Sequence, residues 1–396
     1  MHNRIKGRFL LVSAATLVIT WGMASHKKIM ERCMSQVKNG QDTAQNQAFV
    51  AQEVQTPYGT FIVNEPVILE IIESPVMQRI KKVNQFGVPQ IVKGMKQYSR
   101  YDHCLGVWAL LRRFGAGVEE QIAGLLHDAS HTVFSHVADF MFKSENAKDS
   151  YQDTIHEWYL TQGNIPEILA KHGMSLADIM HKSGDHTALE QCLPDLCADR
   201  IEYNLREGLL LGIIDEHDVQ AILNDIAFSD GHWFFKTSKI ARLFSRIPLY
   251  LTQHSWGGPE NFLINTWTVQ ALQRAMDIGL LTKDDFHFST DDVVWDKLVH
   301  AHDSVIKRAV RKIRTYKTSY EVSSKEDGYD YLISSKFRGV NPLVKHNDGF
   351  KRLTEIDKTY AHEYAQVRQV MAQGWAIKLV GYAAQGKHKD DDKHAA

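Results

Sequence analysis

The sequence predicts a mainly α-helical protein with a small α+β segment near its carboxyl end. Segments with apolar residues at helical spacing follow one another from about residue 65 to residue 315. Runs of β-branched and aromatic residues, which are typical of strands, are few. No Walker A or dinucleotide-type glycine loop occurs. We therefore expect any active site to lie on helices rather than on an α/β nucleotide-binding sheet.

The amino-terminal residues 1–24 have the pattern of a targeting segment. A basic start precedes an apolar run of about 15 residues, Phe9–Met23, which is short for a membrane-spanning helix of about 20 residues and suits a signal peptide. We expect a signal peptide or short signal anchor, and hence an exported or membrane-anchored protein that contacts the membrane only through an uncleaved leader. The alternative is a cytoplasmic protein whose translation starts at Met23.

The composition changes along the chain predict the domain boundaries. Residues 25–55 are polar and rich in Gln and Asn, as in a linker. The main helical domain is expected over 56–300, a C-terminal α+β subdomain over 301–385 and a disordered tail over 386–396.

A few segments within these domains have strand composition. Thr60–Val63 predicts a short strand at the start of the main domain, and Tyr316–Val322 and Tyr329–Lys336 predict a small ribbon near the end.

The charge balance limits the range of partners. The 396 residues include 46 Lys and Arg against 47 Asp and Glu, with 44% hydrophobic residues and a mean hydropathy of −0.31. This composition excludes a disordered chain and argues against a polytopic membrane protein. It also lacks the basic excess on which sequence-independent nucleic-acid binding depends, so we expect no general nucleic-acid binding.

Histidines and carboxylates cluster in one part of the sequence. His127 and Asp128 end an apolar helical segment, and His103 and Asp199 lie on helical segments before and after it. Two imidazoles and two carboxylates form a ligand set that suits iron, manganese or zinc better than calcium. A divalent ion lowers the pKa of its water from 15.7 to about 7 and neutralises charge on a phosphoryl group.

Further histidines in this region are candidates for proton transfer. His131 follows His127 by four residues, so both project from one face if the helix continues. His156 is followed by Glu157, whose carboxylate is expected to orient the imidazole as in a catalytic triad.

The segment resembles the HD-domain phosphohydrolases, and within them the branch of dNTP triphosphohydrolases. Four stretches match in order: Ile71–Gly87, Arg100–Val107, His127–His136 and Asp199–Glu207. The resemblance covers residues 57 to 300 approximately. It implies an all-helical HD-domain core and a protein that forms homo-oligomers.

The resemblance assigns roles to individual residues. It implies that the metal is held by His103, His127, Asp128 and Asp199, and that proton transfer involves His131, His156 and Glu157. It implies that the polyphosphate is bound by Arg100, Arg200, Tyr203 and Arg206, with His136 near the phosphates. It implies that the sugar is contacted by Gln85, Phe86 and Glu207.

Several positions depart from the family pattern. Ser130 and Val133 replace a glycine and a proline after the His-Asp pair, which changes the turn expected there. Glu207 is one methylene longer than the family's aspartate. Glu73 and Lys81 replace the residues that bind an activating guanine nucleotide, so the resemblance does not extend to allosteric activation.

The expected function is hydrolysis of a dNTP to a deoxynucleoside and tripolyphosphate, with iron, manganese or zinc at the His/Asp site and Mg²⁺ accompanying the substrate phosphates. One alternative is a nucleoside monophosphate phosphatase or phosphodiesterase with the same metal site. Another is a catalytically inactive HD protein that senses nucleotides.

Overall fold

A computed structural model describes most of the chain after residue 50. The described ranges are 51–56, 58–142, 150–180, 186–333, 335–347 and 349–384. Three predicted segments lie outside these ranges: the leader (1–24), the linker up to residue 50 and the tail (386–396). The last residues of the predicted linker belong to a strand, Gln52–Thr56.

The predicted mainly α fold is confirmed. The helices are α1 (Pro66–Ile72), α2 (Pro75–Ile80), α3 (Val88–Lys93), α4 (Arg100–Arg113), α5 (Val118–Leu126), α6 (Val137–Met141), α7 (Tyr151–Thr161), α8 (Ile165–Lys171), α9 (Leu176–Ile179), α10 (Ala198–Leu210), α11 (Glu216–Asp225), α12 (Ser238–Leu251), α13 (Pro259–Asp277), α14 (Lys283–Phe288), α15 (Asp291–His300), α16 (Ser304–Arg314), α17 (Leu353–Ile356), α18 (Lys358–Gln373) and α19 (Gly381–Ala384). A π-helical turn, Thr252–Trp256, continues α12.

The strands are β1 (Gln52–Thr56), β2 (Gly59–Val63), β3 (Ile226–Ser229), β4 (His232–Phe235), β5 (Tyr320–Ser323), β6 (Tyr331–Ile333), β7 (Leu343–His346), β8 (Gly349–Arg352) and β9 (Trp375–Leu379). They form three small sheets: the hairpin β1-β2, the sheet β3-β4-β7-β8, and the sheet β5-β9-β6. β2 confirms the strand predicted at residues 60–63.

The sheets differ from the sequence prediction in two respects. The predicted ribbon forms its two strands, but β9 lies between them and pairs with both in antiparallel orientation. β7 pairs in parallel with β4, so strands from the predicted C-terminal subdomain extend a hairpin of the predicted main domain.

Capping boxes define the start of two of the helices that carry site residues. The Ser99 side chain accepts a hydrogen bond from the Asp102 backbone N–H, and the Asp102 carboxylate accepts one from the Ser99 N–H, so α4 begins at Arg100. Ser150 and Asp153 form the same box at the start of α7. Such boxes satisfy backbone donors that have no partner within the helix.

Two apolar clusters flank the His-Asp segment. The first packs α4, α5, α10 and α12 around the fully buried Trp108. The second packs α13, α15 and α16 around Trp267 and includes Val133 and Phe134. The segment 127–136 therefore starts in one cluster and is anchored in the other.

Among the described residues, no helix combines the length and apolar composition that a membrane crossing requires.

Candidate metal centre

The four residues predicted to bind metal lie together. The Nε2 atom of His103 is 2.9 Å from Asp199 Oδ1, 3.1 Å from His127 Nε2 and 3.6 Å from Asp128 Oδ2. His127 Nε2 is also 3.6 Å from Asp199 Oδ1. Donor atoms from three helical segments thus surround one point, since His103 lies on α4, His127 caps the end of α5, and Asp199 lies in the first turn of α10.

Two glycines allow the supporting helices to approach closely. A Cβ atom at Gly106 of α4 would lie 2.3 Å from Oε1 of Glu202 on α10, and a Cβ at Gly124 of α5 would lie 2.4 Å from a methyl carbon of Leu111 on α4. Any larger residue at either position would push apart helices that carry the predicted ligands.

Glu202 orients His103, and the sequence analysis gave this residue no role. Its carboxylate is fully buried and accepts hydrogen bonds from Tyr98 Oη at 2.6 Å, from Tyr58 Oη at 3.2 Å and from His103 Nδ1 at 2.5 Å. With the proton of His103 on Nδ1, the Nε2 lone pair faces the other three side chains. A carboxylate behind a histidine ligand is the usual support of a metal site.

His127 is oriented in the same way. Its Nδ1 lies 2.7 Å from the backbone carbonyl of Gly124, which can only accept a hydrogen bond, so Nε2 faces the centre.

The electrostatics of the cluster favour a cation. Burial opposes a charge on His103, but the carboxylates of Glu202 and Asp199 outweigh it and raise the pKa of the imidazole to about 10. Burial alone would raise the pKa of Asp199, yet its hydrogen bonds with His103 and His127 hold that pKa well below its usual range. Buried carboxylate charge must be balanced by positive charge. Protons on the imidazoles can supply it, and so can a divalent ion. The donor set fits iron, manganese or zinc.

His131 lies beside the centre, although the helix does not continue to it. α5 ends at Leu126 and His131 follows in a turn, with Nε2 3.3 Å from Asp128 Oδ1. Its Nδ1 atom is buried and has no hydrogen-bond partner among the described residues. Burial and the charge of Arg100 lower the pKa of His131 to about 3, so the imidazole is neutral at pH 7.

His156 reaches the His-Asp segment through Ser130, and Glu157 does not orient it. His156 Nδ1 is 2.9 Å from Ser130 Oγ, whereas Glu157 is exposed. Successive residues of a helix project about 100° apart, so the two side chains of α7 face different directions. Burial, followed by the charge of His127, lowers the pKa of His156 to about 4.

His136 lies at the edge of the site. It is exposed, its ring centroid is 5.0 Å from that of His131, and its Nδ1 is 3.2 Å from Asp139 Oδ2.

The arginines predicted to bind polyphosphate have protein partners. Arg100 is buried and forms a 2.6 Å ion pair with the predicted ligand Asp128. The Arg200 guanidinium donates to the backbone carbonyls of Asp195 and Gln191 and thereby holds the segment before α10. The Arg206 guanidinium lies 5.6 Å from the ring centroid of Tyr98.

The residues predicted to contact the sugar lie on two segments near Tyr98 and His103. The Phe86 ring packs edge-on against Tyr98, and Gln85 Oε1 is buried without a hydrogen-bond partner among the described residues. Tyr203, which was predicted at the polyphosphate, lies close to them, with its ring centroid 6.5 Å from that of His103.

Glu207 differs from an ordinary surface carboxylate. It is buried and accepts a 2.8 Å hydrogen bond from Trp256 Nε1. Burial raises the pKa of Glu207 to about 8 despite this bond, so the group is mostly protonated at pH 7. A neutral carboxyl can donate a hydrogen bond as well as accept one.

The turn that carries His131 is held by residues the sequence analysis did not single out. Arg79 donates to the carbonyls of Ala129 and His131, and the buried Asp291 accepts from the backbone N–H of Phe134. Phe134 has a positive φ of 59°, a conformation that costs free energy and requires such support. Arg79 belongs to the stretch that matched the family upstream of the His-Asp pair.

Comparisons with known proteins agree with this geometry. Residues 100–202 match the HD domain family. The uncharacterised protein YdhJ of Bacillus subtilis is 29% identical over 79% of this chain and 95% of its own length. The metal-dependent phosphohydrolase cns2 of Cordyceps militaris is 28% identical over 72% of this chain and 83% of its own. The deoxynucleoside triphosphate triphosphohydrolase SAMHD1 of Gallus gallus is 25% identical over 49% of this chain but only 35% of its own.

Solved structures share the fold. A hypothetical protein from Aquifex aeolicus superposes with a TM-score of 0.61 at 16% identity, over 81% of this chain and 99% of its own. A phosphohydrolase from Bacteroides thetaiotaomicron superposes with a TM-score of 0.63 at 14% identity, over 82% of this chain and 99% of its own.

Proposed function

We propose that this chain, an HD-domain metal-dependent phosphohydrolase, hydrolyses a phosphate bond of a nucleotide. The observation that carries the proposal is the convergence of His103, His127, Asp128 and Asp199 on one point. A divalent cation held there would lower the pKa of bound water to about 7 and neutralise charge on the phosphate.

The surrounding residues supply the other requirements of hydrolysis. Glu202 holds the His103 ring, and Arg100 holds the Asp128 carboxylate. His131 and His156 are neutral at pH 7, so each can accept a proton from water or donate one to a leaving oxygen after protonation.

One form of the proposal is hydrolysis of a dNTP to a deoxynucleoside and tripolyphosphate. The sequence resemblance and the SAMHD1 relatives support it. The positions of Gln85, Tyr203 and Glu207 support it as well, since buried or partly buried polar groups near the centre are suited to recognising a sugar.

A second form is hydrolysis of a nucleoside monophosphate or a phosphodiester, and the engagement of the arginines favours it. Arg100 is paired with Asp128, and Arg200 is bound to two carbonyls. Fewer cationic groups therefore remain for a triphosphate than the sequence alone predicted. A smaller phosphate needs fewer of them.

Product analysis separates these forms. Purified full-length chain is loaded with Mn²⁺, Fe²⁺ or Zn²⁺ and assayed against dNTPs, nucleoside monophosphates and a phosphodiester. Tripolyphosphate indicates the first form, and orthophosphate from monophosphates or cleavage of the diester indicates the second.

Variants test the site itself. We expect His127→Ala to abolish turnover and His300→Ala, which removes an exposed imidazole paired with Asp296, to retain it. A chain that gains no metal on reconstitution and hydrolyses no nucleotide, yet binds one, would instead be the inactive sensor.

Assembly and location are further proposals. We propose a homo-oligomer, which light scattering of the purified chain would detect, and export or membrane anchoring through residues 1–24. Mass spectrometry of the mature amino terminus distinguishes a cleaved leader from a retained one and from a start at Met23.

A further inference from the structure

The environment of Ser130 determines which hydrogen bonds it makes. Ser130 stands where the family pattern has glycine, and it is fully buried. Its Oγ lies 2.6 Å from Gln152 Oε1, 3.2 Å from the backbone carbonyl of Gln152, and 2.9 Å from His156 Nδ1. Three polar atoms from two residues thus surround one hydroxyl, which has a single proton to donate.

The orientation of the Gln152 amide follows from Asp153. The Gln152 side-chain nitrogen lies 2.6 Å from Asp153 Oδ1, and the other oxygen of Asp153 accepts from Ser150 in the capping box of α7. A carboxylate can only accept hydrogen bonds, so the NH₂ group of Gln152 must face it and Oε1 must face Ser130. The reverse orientation would bring the amide oxygen of Gln152 against the Asp153 carboxylate, where neither atom has a proton to share, and would turn the NH₂ group toward Ser130.

The same reasoning extends to the imidazole. Both Gln152 atoms near Ser130 are oxygens that can only accept, so the Ser130 hydroxyl donates its proton to Gln152. Ser130 Oγ must therefore act as the acceptor in its hydrogen bond with His156 Nδ1. The neutral His156 ring must then carry its proton on Nδ1. The Nε2 atom makes no hydrogen bond to any residue within the described ranges, and its lone pair is free.

We propose that Ser130 and Gln152 are positioning residues that hold His156 in the tautomer protonated at Nδ1, which leaves Nε2 as a hydrogen-bond acceptor. His156 therefore begins the reaction as an acceptor of a proton and not as its donor. Only the catalytic use of this acceptor rests on the proposed function, since the tautomer itself is a property of the protein.

Nitrogen NMR of the full chain tests the tautomer directly. Protein carrying ¹⁵N-labelled histidine is loaded with diamagnetic Zn²⁺ at pH 7, and a His156→Gln variant assigns the ring. We expect a proton on Nδ1 and none on Nε2. A proton on Nε2, alone or together with one on Nδ1, would overturn the proposal.

Variants test the positioning role. Ser130→Ala and Gln152→Ala should allow the other tautomer and lower kcat by about 10- to 100-fold with little change in KM, as for other residues that orient a reacting imidazole. Ser130→Thr keeps the hydroxyl and should restore the tautomer. Gln162→Ala, at the exposed end of α7, is the matched control and should leave both readouts unchanged.

The outcomes separate this inference from the proposed function. Variants of Ser130 and Gln152 that keep both the wild-type tautomer and the wild-type kcat contradict the inference. If the Ser130 variants do not fold, Gln152→Ala by itself provides the test. A wild-type protein with the expected tautomer but no activity on any nucleotide contradicts only the proposed function.

Discussion

At the scale of single residues, the site depends on carboxylates that do not touch the centre themselves. Glu202 is the main example, because its buried charge is bound by two tyrosines and fixes the ring of His103. We expect Glu202→Gln to weaken divalent-metal affinity by about 10- to 100-fold, since the amide loses the charge that strengthens the ligand. A competition titration with a chromophoric chelator measures this change.

The control for this prediction is an exposed glutamate on α5. Glu119→Gln removes the same charge at the helix surface and should leave metal affinity unchanged. Equal affinities for the Glu202→Gln and wild-type proteins would show that the carboxylate does not support His103.

Glu207 predicts a pH dependence of stability. Its pKa is about 8 in the folded chain, against about 4.3 for an ordinary glutamate. The folded state therefore binds more protons than the unfolded state between these values, and the free energy of unfolding falls as the pH rises from about 4.5 to about 8. Glu207→Gln, which keeps an oxygen for Trp256, should remove this contribution.

Urea unfolding at pH 5 to 9 tests the prediction. The difference in unfolding free energy between wild type and Glu207→Gln should decline by up to about 1.4 kcal/mol per pH unit and level off above pH 8. All other titrating groups are common to both proteins, so parallel curves would mean that Glu207 is ionised throughout.

At the scale of elements, the packing of α4 against α10 sets the position of the carboxylate behind His103. Alanine inside a helix is normally more stable than glycine by about 1 kcal/mol. At Gly106 the new Cβ would lie 2.3 Å from Glu202 Oε1, so we expect Gly106→Ala to destabilise the protein by about 1–3 kcal/mol. It should also weaken metal binding, because Glu202 must move.

Thermal and urea unfolding measure the effect of this substitution. Gly349→Ala is the control, since no atom of the described residues lies within 4 Å of its Cβ position. If Gly106→Ala is as stable as wild type and binds metal equally well, the close contact between α4 and α10 is not required.

At the scale of the whole molecule, local patterns predicted the helices but not the contacts between distant segments. The candidate metal centre is an exception, because the ordered motifs and their resemblance to the HD family predicted that His103, His127, Asp128 and Asp199 lie together. The roles of Ser130 and Glu202 depend on residues far away in the sequence, such as Tyr58 and His156, so no local pattern reveals them.

Distant contacts also explain where the sequence interpretation differs from the structure. The resemblance placed Arg100 at the polyphosphate, but in the structure its guanidinium forms an ion pair with Asp128. The pairing of β4 with β7 joins residues more than 100 positions apart, and a composition change near residue 300 carries no information about it.

Binding of a divalent ion should stabilise the fold, because its ligands come from three separate helical segments. A ligand that binds only the folded state adds about 2.7 kcal/mol to the free energy of unfolding at 100 times its Kd. We expect chelator-treated protein to unfold at lower urea concentration than protein with excess Mn²⁺ or Zn²⁺. His127→Ala should lose this difference, and His300→Ala should keep it. Identical unfolding curves with and without metal, in a protein shown to hold no ion, would remove the basis for a metal centre at these four residues.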